Sequence, residues 1–409
     1  MPWFRDTSAD VRVAAARRAP PAMNMAQVVR RLTLPLATTS QQFFFVLRHF
    51  PYTGGCTLRD LDGFLAAAIR CCDGGHAAQK RQALTILSGI TGLHGVARGF
   101  PLLDIYQVVY ELTLRVLDPK RIDQGAFGLC GPAALATLLA KTEPVTYIQL
   151  AVELLTTGRS HVRGFSLTPG EEIRRYRPSG TPQADWLVLA SLRSSDQALT
   201  SNTVTGEYGG TTFFDMMGWL KQAGFGVVVG AFAPHLTGFM RTLSSLPIIS
   251  GIDRWLSCDF HPQRPSFLQG ISLEFFSKQN GNLFLADRFL RNHWKVFLMV
   301  SEKYTQTSGD VDPIASKLSL YQDLNLPARQ LETMRTNLIT QYIGNATNHW
   351  VLAKALELPG NGTVRITRYS WGGKSTTAPI PVELFYTIYS GFIAVSCMKI
   401  EDAIAAWRW

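Results

Sequence analysis

The stretch Asp123-Gln124-Gly125-Ala126-Phe127-Gly128-Leu129-Cys130-Gly131-Pro132-Ala133 sets a glutamine six positions before a cysteine that opens a helix. Pro132 fits a first helical turn, where its missing N–H costs nothing, and Ala133 to Lys141 is rich in strong helix formers. Cys130 is therefore placed at a helix N-terminus. There the exposed N–H groups and the positive end of the dipole favour a thiolate, lowering the thiol pKa from about 8.5 and predicting a nucleophile. Gln124 is the candidate oxyanion donor through its side-chain amide, beside the Cys130 backbone N–H, and the glycines of the stretch let backbone approach a substrate. The competing reading is an inert, buried cysteine in an Ala/Leu-rich segment.

A nucleophilic cysteine needs a base, and the chain has eight histidines. His349 heads the apolar run Trp350-Val351-Leu352-Ala353, which is closed by Pro359-Gly360-Asn361-Gly362, and Thr363 to Tyr369 returns as a second strand. The pattern predicts a hairpin with His349 at its mouth and Ser370-Trp371-Gly372-Gly373 at its close. Asn292-His293-Trp294 repeats the triplet that includes His349 without a following hairpin, and His293 is the rival base.

Gln124 and Cys130 at this spacing, followed by a helix, resemble the papain-like cysteine peptidases. Cys130-Gly131-Pro132-Ala133 is most similar to their bacteriocin-leader-processing branch and to related bacterial effector proteases. The histidine-headed strand and the Trp-Gly pair closing the next one extend the resemblance to the C-terminal region. The resemblance implies an α+β fold, with a helix bearing the cysteine packed on an antiparallel sheet bearing the histidine. It further implies Cys130 as nucleophile, His349 as general base and Gln124 in the oxyanion site. Two departures stand out. Gly131 replaces an aromatic residue, and Tyr369 occupies the place of the Asn or Asp that orients the histidine, which makes Tyr369 the candidate orienter, with Ser370 beside it. From Cys130 to His349 is 349 minus 130, or 219 positions, against about 130–150 in papain-type enzymes, so the segment between them carries a large insertion.

The six cysteines lack C-x-x-C spacing and any paired histidine motif, which argues against a zinc site and a disulfide framework; no metal or cofactor is expected. Cys71-Cys72 is read as core packing. The net charge is +10, and residues 1 to 121 hold fifteen Lys/Arg against eight Asp/Glu, a net +7. Without a phosphate loop, zinc finger or RNA-binding signature, this excess points to a solvated basic face rather than specific nucleic-acid readout. A secretion chaperone or an anionic surface is the alternative partner for it. No segment reaches the roughly twenty apolar residues of a membrane span, and no secretory signal is evident.

Residues 1–22 read as a flexible arm, 23–118 as an all-helical N-terminal domain, and 119–409 as the papain-like catalytic domain. Helices are expected over 25–34, 39–49, 58–72, 77–93 and 102–117, with Thr57 and Asp60 forming a capping box. Residues 158–211 read as long loops around the apolar segment 186–192. Short strands are expected at 226–232, 246–252 and 294–301, with polar helices over 316–343. The functional expectation is a cysteine hydrolase or acyl-transfer enzyme acting on a protein or peptide. The resemblance makes it a bacterial effector or toxin held in the cytoplasm before export by a dedicated secretion system. The alternative is a catalytically inactive papain-like scaffold that binds a partner through its basic helical region.

Overall fold

The computed structural model describes residues 24–33, 38–49, 56–91, 97–125, 127–195, 211, 213–225, 227–232, 279–322, 326–344, 349–358, 362–370, 372–396 and 402. The expected arm 1–22, the strand 246–252 and Trp371 lie outside the described residues, as do Cys258 and Cys397.

The chain is α+β. Its first half is helical: α1 (Met25–Thr33), α2 (Ser40–His49), α3 (Leu58–Arg70), α4 (Ala77–Thr91) and α5 (Ile105–Leu117) fall where their apolar spacing places them. Thr57 caps α3 through the expected box: its hydroxyl accepts from the Asp60 N–H, and the Asp60 carboxylate accepts from the Thr57 N–H. After a 3-10 turn (Pro119–Arg121) come α6 (Cys130–Thr142), α7 (Pro144–Thr157), the short α8 (Glu171–Arg174), α9 (Gln183–Ser195) and α10 (Phe213–Gln222). The expectation of loops across 158–211 is corrected by α9. That helix is buried nearly all round, Asp185 and Arg193 included, so it lacks the amphipathic period by which a surface helix is recognised.

The second half builds the sheet. β1 (Val227–Phe232), β2 (Lys295–Val300), β3 (His349–Glu357), β4 (Thr363–Ser370), β5 (Gly373–Thr376), β6 (Ile380–Pro381) and β7 (Tyr389–Ser396) form an antiparallel sheet. The strand order is β1-β7-β2-β3-β4-β5, with β6 beside β4. Helices α11 (Gln279–Arg291), α12 (Glu302–Gln306), α13 (Pro313–Gln322), α14 (Ala328–Tyr342) and α15 (Val382–Thr387) lie between these strands in sequence. The expected hairpin is β3–β4.

Both faces of the sheet are covered. Phe297, Trp350, Leu352, Ile393 and Val395 join the core of the helical half, which runs from Met25 through Leu135 and Trp186. Val296, Leu298, Val351, Ile366 and Phe392 face the other way, onto Phe289, Tyr304 and Phe385. Each such side chain contributes roughly 1.5–3 kcal/mol on leaving water. The helices before residue 118 share the first of these cores with α6, α7 and α9.

Candidate active site

Cys130 is the first residue of α6, and the chain enters it over the loop 122–129. That loop is pinned at several points. The Asp123 N–H donates to Asp185 Oδ2 at 3.0 Å, and Asp123 Oδ1 accepts from the Gly125 N–H at 2.9 Å. The Gln124 carbonyl accepts from Thr181 Oγ1 at 2.9 Å. Gly125 has φ of 62°, and a Cβ there would overlap Gly180 and Thr181, so glycine is required. Gln124 itself is buried on this loop. The Gly372 N–H donates to the Ile122 carbonyl at 3.0 Å, so the segment closing β4 docks on the loop that leads to Cys130.

Below the loop lies an ion pair that the sequence did not announce. Arg115, on α5, grips Asp185, on α9, with two bonds of 3.1 and 2.6 Å. Both groups are buried. Burial alone would lower the Arg115 pKa, but the adjacent Asp185 carboxylate reverses this and holds the guanidinium above its ordinary value. Burial pushes Asp185 up, against the pull of Arg115 and of the Asp123 N–H. Glu111 completes the cluster by accepting from the Ala184 N–H at 2.8 Å.

The helix start meets strand β3. The Trp350 backbone N–H donates to Cys130 Sγ, and the Gly131 and Cys130 N–H groups also act on the sulfur. The Trp350 indole Nε1 donates to the Thr211 carbonyl at 2.8 Å. Thr211 is packed so tightly on Gly131 that a Cβ at 131 would overlap its side chain. Its Oγ1 is buried with no hydrogen-bond partner among the described residues.

The sulfur's electrostatics reverse the sequence expectation. Cys130 is 4% exposed, and burial raises its thiol pKa, with Glu302 adding to the rise; the three N–H groups oppose it without prevailing. A helix N-terminus lowers a thiol pKa only where the anion's desolvation does not outweigh it.

His349 is also buried, at 2% exposure. It pairs with Val300, and alternation along β3 puts its side chain with Val351 and Ala353, on the face away from α6; Trp350 and Leu352 face α6. Burial lowers the imidazole pKa to about 3, and the nearby Arg368 pushes it the same way. The structure thus brings the His349–Trp350 backbone to Cys130 and sends the imidazole to the opposite side of the sheet.

Tyr369 does not orient this imidazole. It lies opposite Leu352 on the α6 face, and its hydroxyl accepts from Lys141 Nζ at 3.3 Å, at the last turn of the helix that Cys130 begins. Strand parity therefore separates the expected orienter from the histidine. The rival His293 stands exposed in the turn between α11 and β2, at the end of β2 opposite Val300, with φ of 65°.

Among the described residues, no group of three or more His, Cys, Asp or Glu side chains is arranged to hold a metal ion, and no helix is long and apolar enough to cross a membrane. No protein-family model matches the chain, and no curated protein or solved structure is similar to it.

Proposed function

We propose that this chain is a papain-like cysteine hydrolase, or a related acyl-transfer enzyme, whose nucleophile is Cys130 and whose substrate is a protein or peptide. The observation that carries this reading is the position of Cys130 as the buried first residue of a helix packed on β3, where the Trp350, Gly131 and Cys130 N–H groups favour the charged form of its sulfur. Such donors favour a thiolate before attack and can hold the oxyanion afterwards. In the proposed cycle Cys130 gives its proton to His349 and bonds the substrate carbonyl carbon. The leaving amine takes that proton, and water then cleaves the thioester. Gln124 supplies a further oxyanion donor. Because the imidazole faces away from the sulfur, this cycle requires His349 to leave its place in the β2–β3 ladder, where it pairs with Val300. The resemblance to exported bacterial effectors extends the proposal to a protein that acts in a target cell after secretion.

A second reading rests on the same position of His349. A buried, neutral imidazole on the far face and a thiol raised by burial suit an inactive papain-like scaffold that serves as a binding protein. The two are separated by incubating wild type, Cys130→Ala and His349→Ala with a pool of unstructured peptides and reading products by mass spectrometry. Cleavage or deamidation lost in both variants supports the hydrolase. The absence of any Cys130-dependent product leaves the scaffold reading.

A further inference from the structure

At the far end of α6 from Cys130 lies a cavity of about 410 Å³. Lys80 of α4, Lys120 of the 3-10 turn, Lys141 of α6 and Lys374 of β5 reach it from four separate elements, with His76 and Tyr369 between them. Asp118 is the single carboxylate in its lining, and it is already shared by Lys120 at 3.4 Å and Arg121 at 3.3 Å. The Lys141 ammonium stands 4.8 Å from the centre of the Tyr369 ring and 3.3 Å from its hydroxyl, which fixes one cation at the wall. Lys354 of β3, across β4 from β5, is close enough to act on Lys374. The Lys374 pKa is held below the ordinary lysine value, first by Lys354 and then by Lys120 and Lys141.

Four ammonium groups line one recess and repel one another; among the lining residues Asp118 is the single carboxylate, and Asp73 acts on Lys80 from outside the recess. A multiply charged anion is the occupant that removes this repulsion, because it accepts from several ammonium groups at once. The volume admits a molecule larger than one phosphate. We propose that this cavity binds a small polyphosphorylated ligand, with two or more phosphate groups held by Lys80, Lys120, Lys141 and Lys374. The inference is independent of the cysteine chemistry.

The test titrates inorganic tripolyphosphate into the full chain at constant ionic strength, by calorimetry and by thermal unfolding. One equivalent should bind and raise Tm saturably, and inorganic phosphate should bind more weakly. Lys120→Ala/Lys374→Ala should weaken binding by at least about tenfold, while the unfolding temperature of the ligand-free variant stays level or rises as repulsion is relieved. The proposal fails if tripolyphosphate shifts Tm no more than sodium chloride of equal ionic strength does. It also fails if the shift persists in the double variant, or if a single-stranded RNA oligomer binds the same lysines more tightly than tripolyphosphate. Co-sedimentation with vesicles identifies the source of the phosphates. Variant-sensitive pelleting with phosphatidylinositol bisphosphate, but not with phosphatidylserine at equal charge, points to a lipid headgroup. Tripolyphosphate binding without pelleting points to a soluble ligand.

Discussion

Trp350 holds Cys130 with its backbone and Thr211 with its indole: its N–H donates to Cys130 Sγ, and its Nε1 donates to the Thr211 carbonyl. One residue of β3 is thus tied at two points to the helical half. Because successive side chains of a strand point to opposite faces, these ties also fix where its predecessor goes. With Trp350 turned toward α6, His349 must turn away.

Alkylation of Cys130 should therefore be slow in the native protein. With its thiol buried and its pKa raised, iodoacetamide should modify it at pH 7 at least about tenfold more slowly than in the urea-unfolded chain. The rate should climb only on the alkaline side of the ordinary thiol value. Peptide mapping across pH 5 to 10 reads this directly. A fast component below pH 7 that His349→Ala abolishes would show that the cysteine and histidine do meet in solution.

His349 makes a prediction about acid stability. Its folded pKa of about 3 lies below the unfolded value of about 6.5. Between these two values the unfolded chain binds more protons than the native one, so stability falls as pH falls. The contribution is complete above pH 6.5 and is lost progressively down to about pH 3. It amounts to about 5 kcal/mol. Urea unfolding at pH 7, 6, 5 and 4 should show the decline, and His349→Gln should flatten it. An unchanged slope in that variant would mean that the imidazole is solvated.

Much of the fold is legible because local chemistry fixes it. The helices from Met25 to Leu117 announce themselves by apolar spacing, α3 by its Thr57–Asp60 box, and β3–β4 by turn residues between an apolar run and a β-branched one. What escapes the sequence is which face meets which partner. The run from Trp350 to Ala353 is apolar throughout because β3 is buried on both faces, so it carries no alternation to show that the histidine faces away from the cysteine helix. The same absence of contrast hides α9. Arg115 and Asp185 are 70 positions apart, and their pairing depends on α5 and α9 packing together. Cys130 could be picked out by its surroundings in sequence, but its buried thiol follows from Thr211 and Trp350, residues distant in the chain.

The Arg115–Asp185 pair should behave as a buried pair that is costly to break. Asp185→Ala strands a guanidinium away from water and also frees the Asp123 N–H at the entrance to the Cys130 loop. A loss of about 3–5 kcal/mol is expected in urea unfolding. Arg115→Met/Asp185→Leu should cost distinctly less than either single change, since the two charges of the pair leave together and burial already favours the neutral form of the remaining Glu111 carboxyl. Additive losses in the double variant would indicate that the pair is hydrated rather than buried.

Gly131 and Thr211 should be coupled through space. A methyl group at 131 would meet Thr211 Oγ1, Cβ and Cγ2 together, and Thr211 is in turn held by the Trp350 indole. The methyl cannot be accommodated unless Thr211 or α6 moves, so Gly131→Ala should destabilise by about 1–3 kcal/mol, the usual cost of overpacking. Helix propensity alone would predict the opposite sign, because alanine is favoured over glycine inside a helix. Thr211→Gly removes every side-chain atom that the new methyl would strike. Gly131→Ala/Thr211→Gly should therefore be more stable than the sum of the two single losses predicts, by about 1 kcal/mol or more. Thermal and urea unfolding of the four proteins closes this cycle, and strict additivity would show that α6 and residue 211 do not touch in solution. The same cycle bears on Cys130, which directly precedes Gly131: displacement of Thr211 should raise its alkylation rate in Gly131→Ala and restore the slow rate in the double variant.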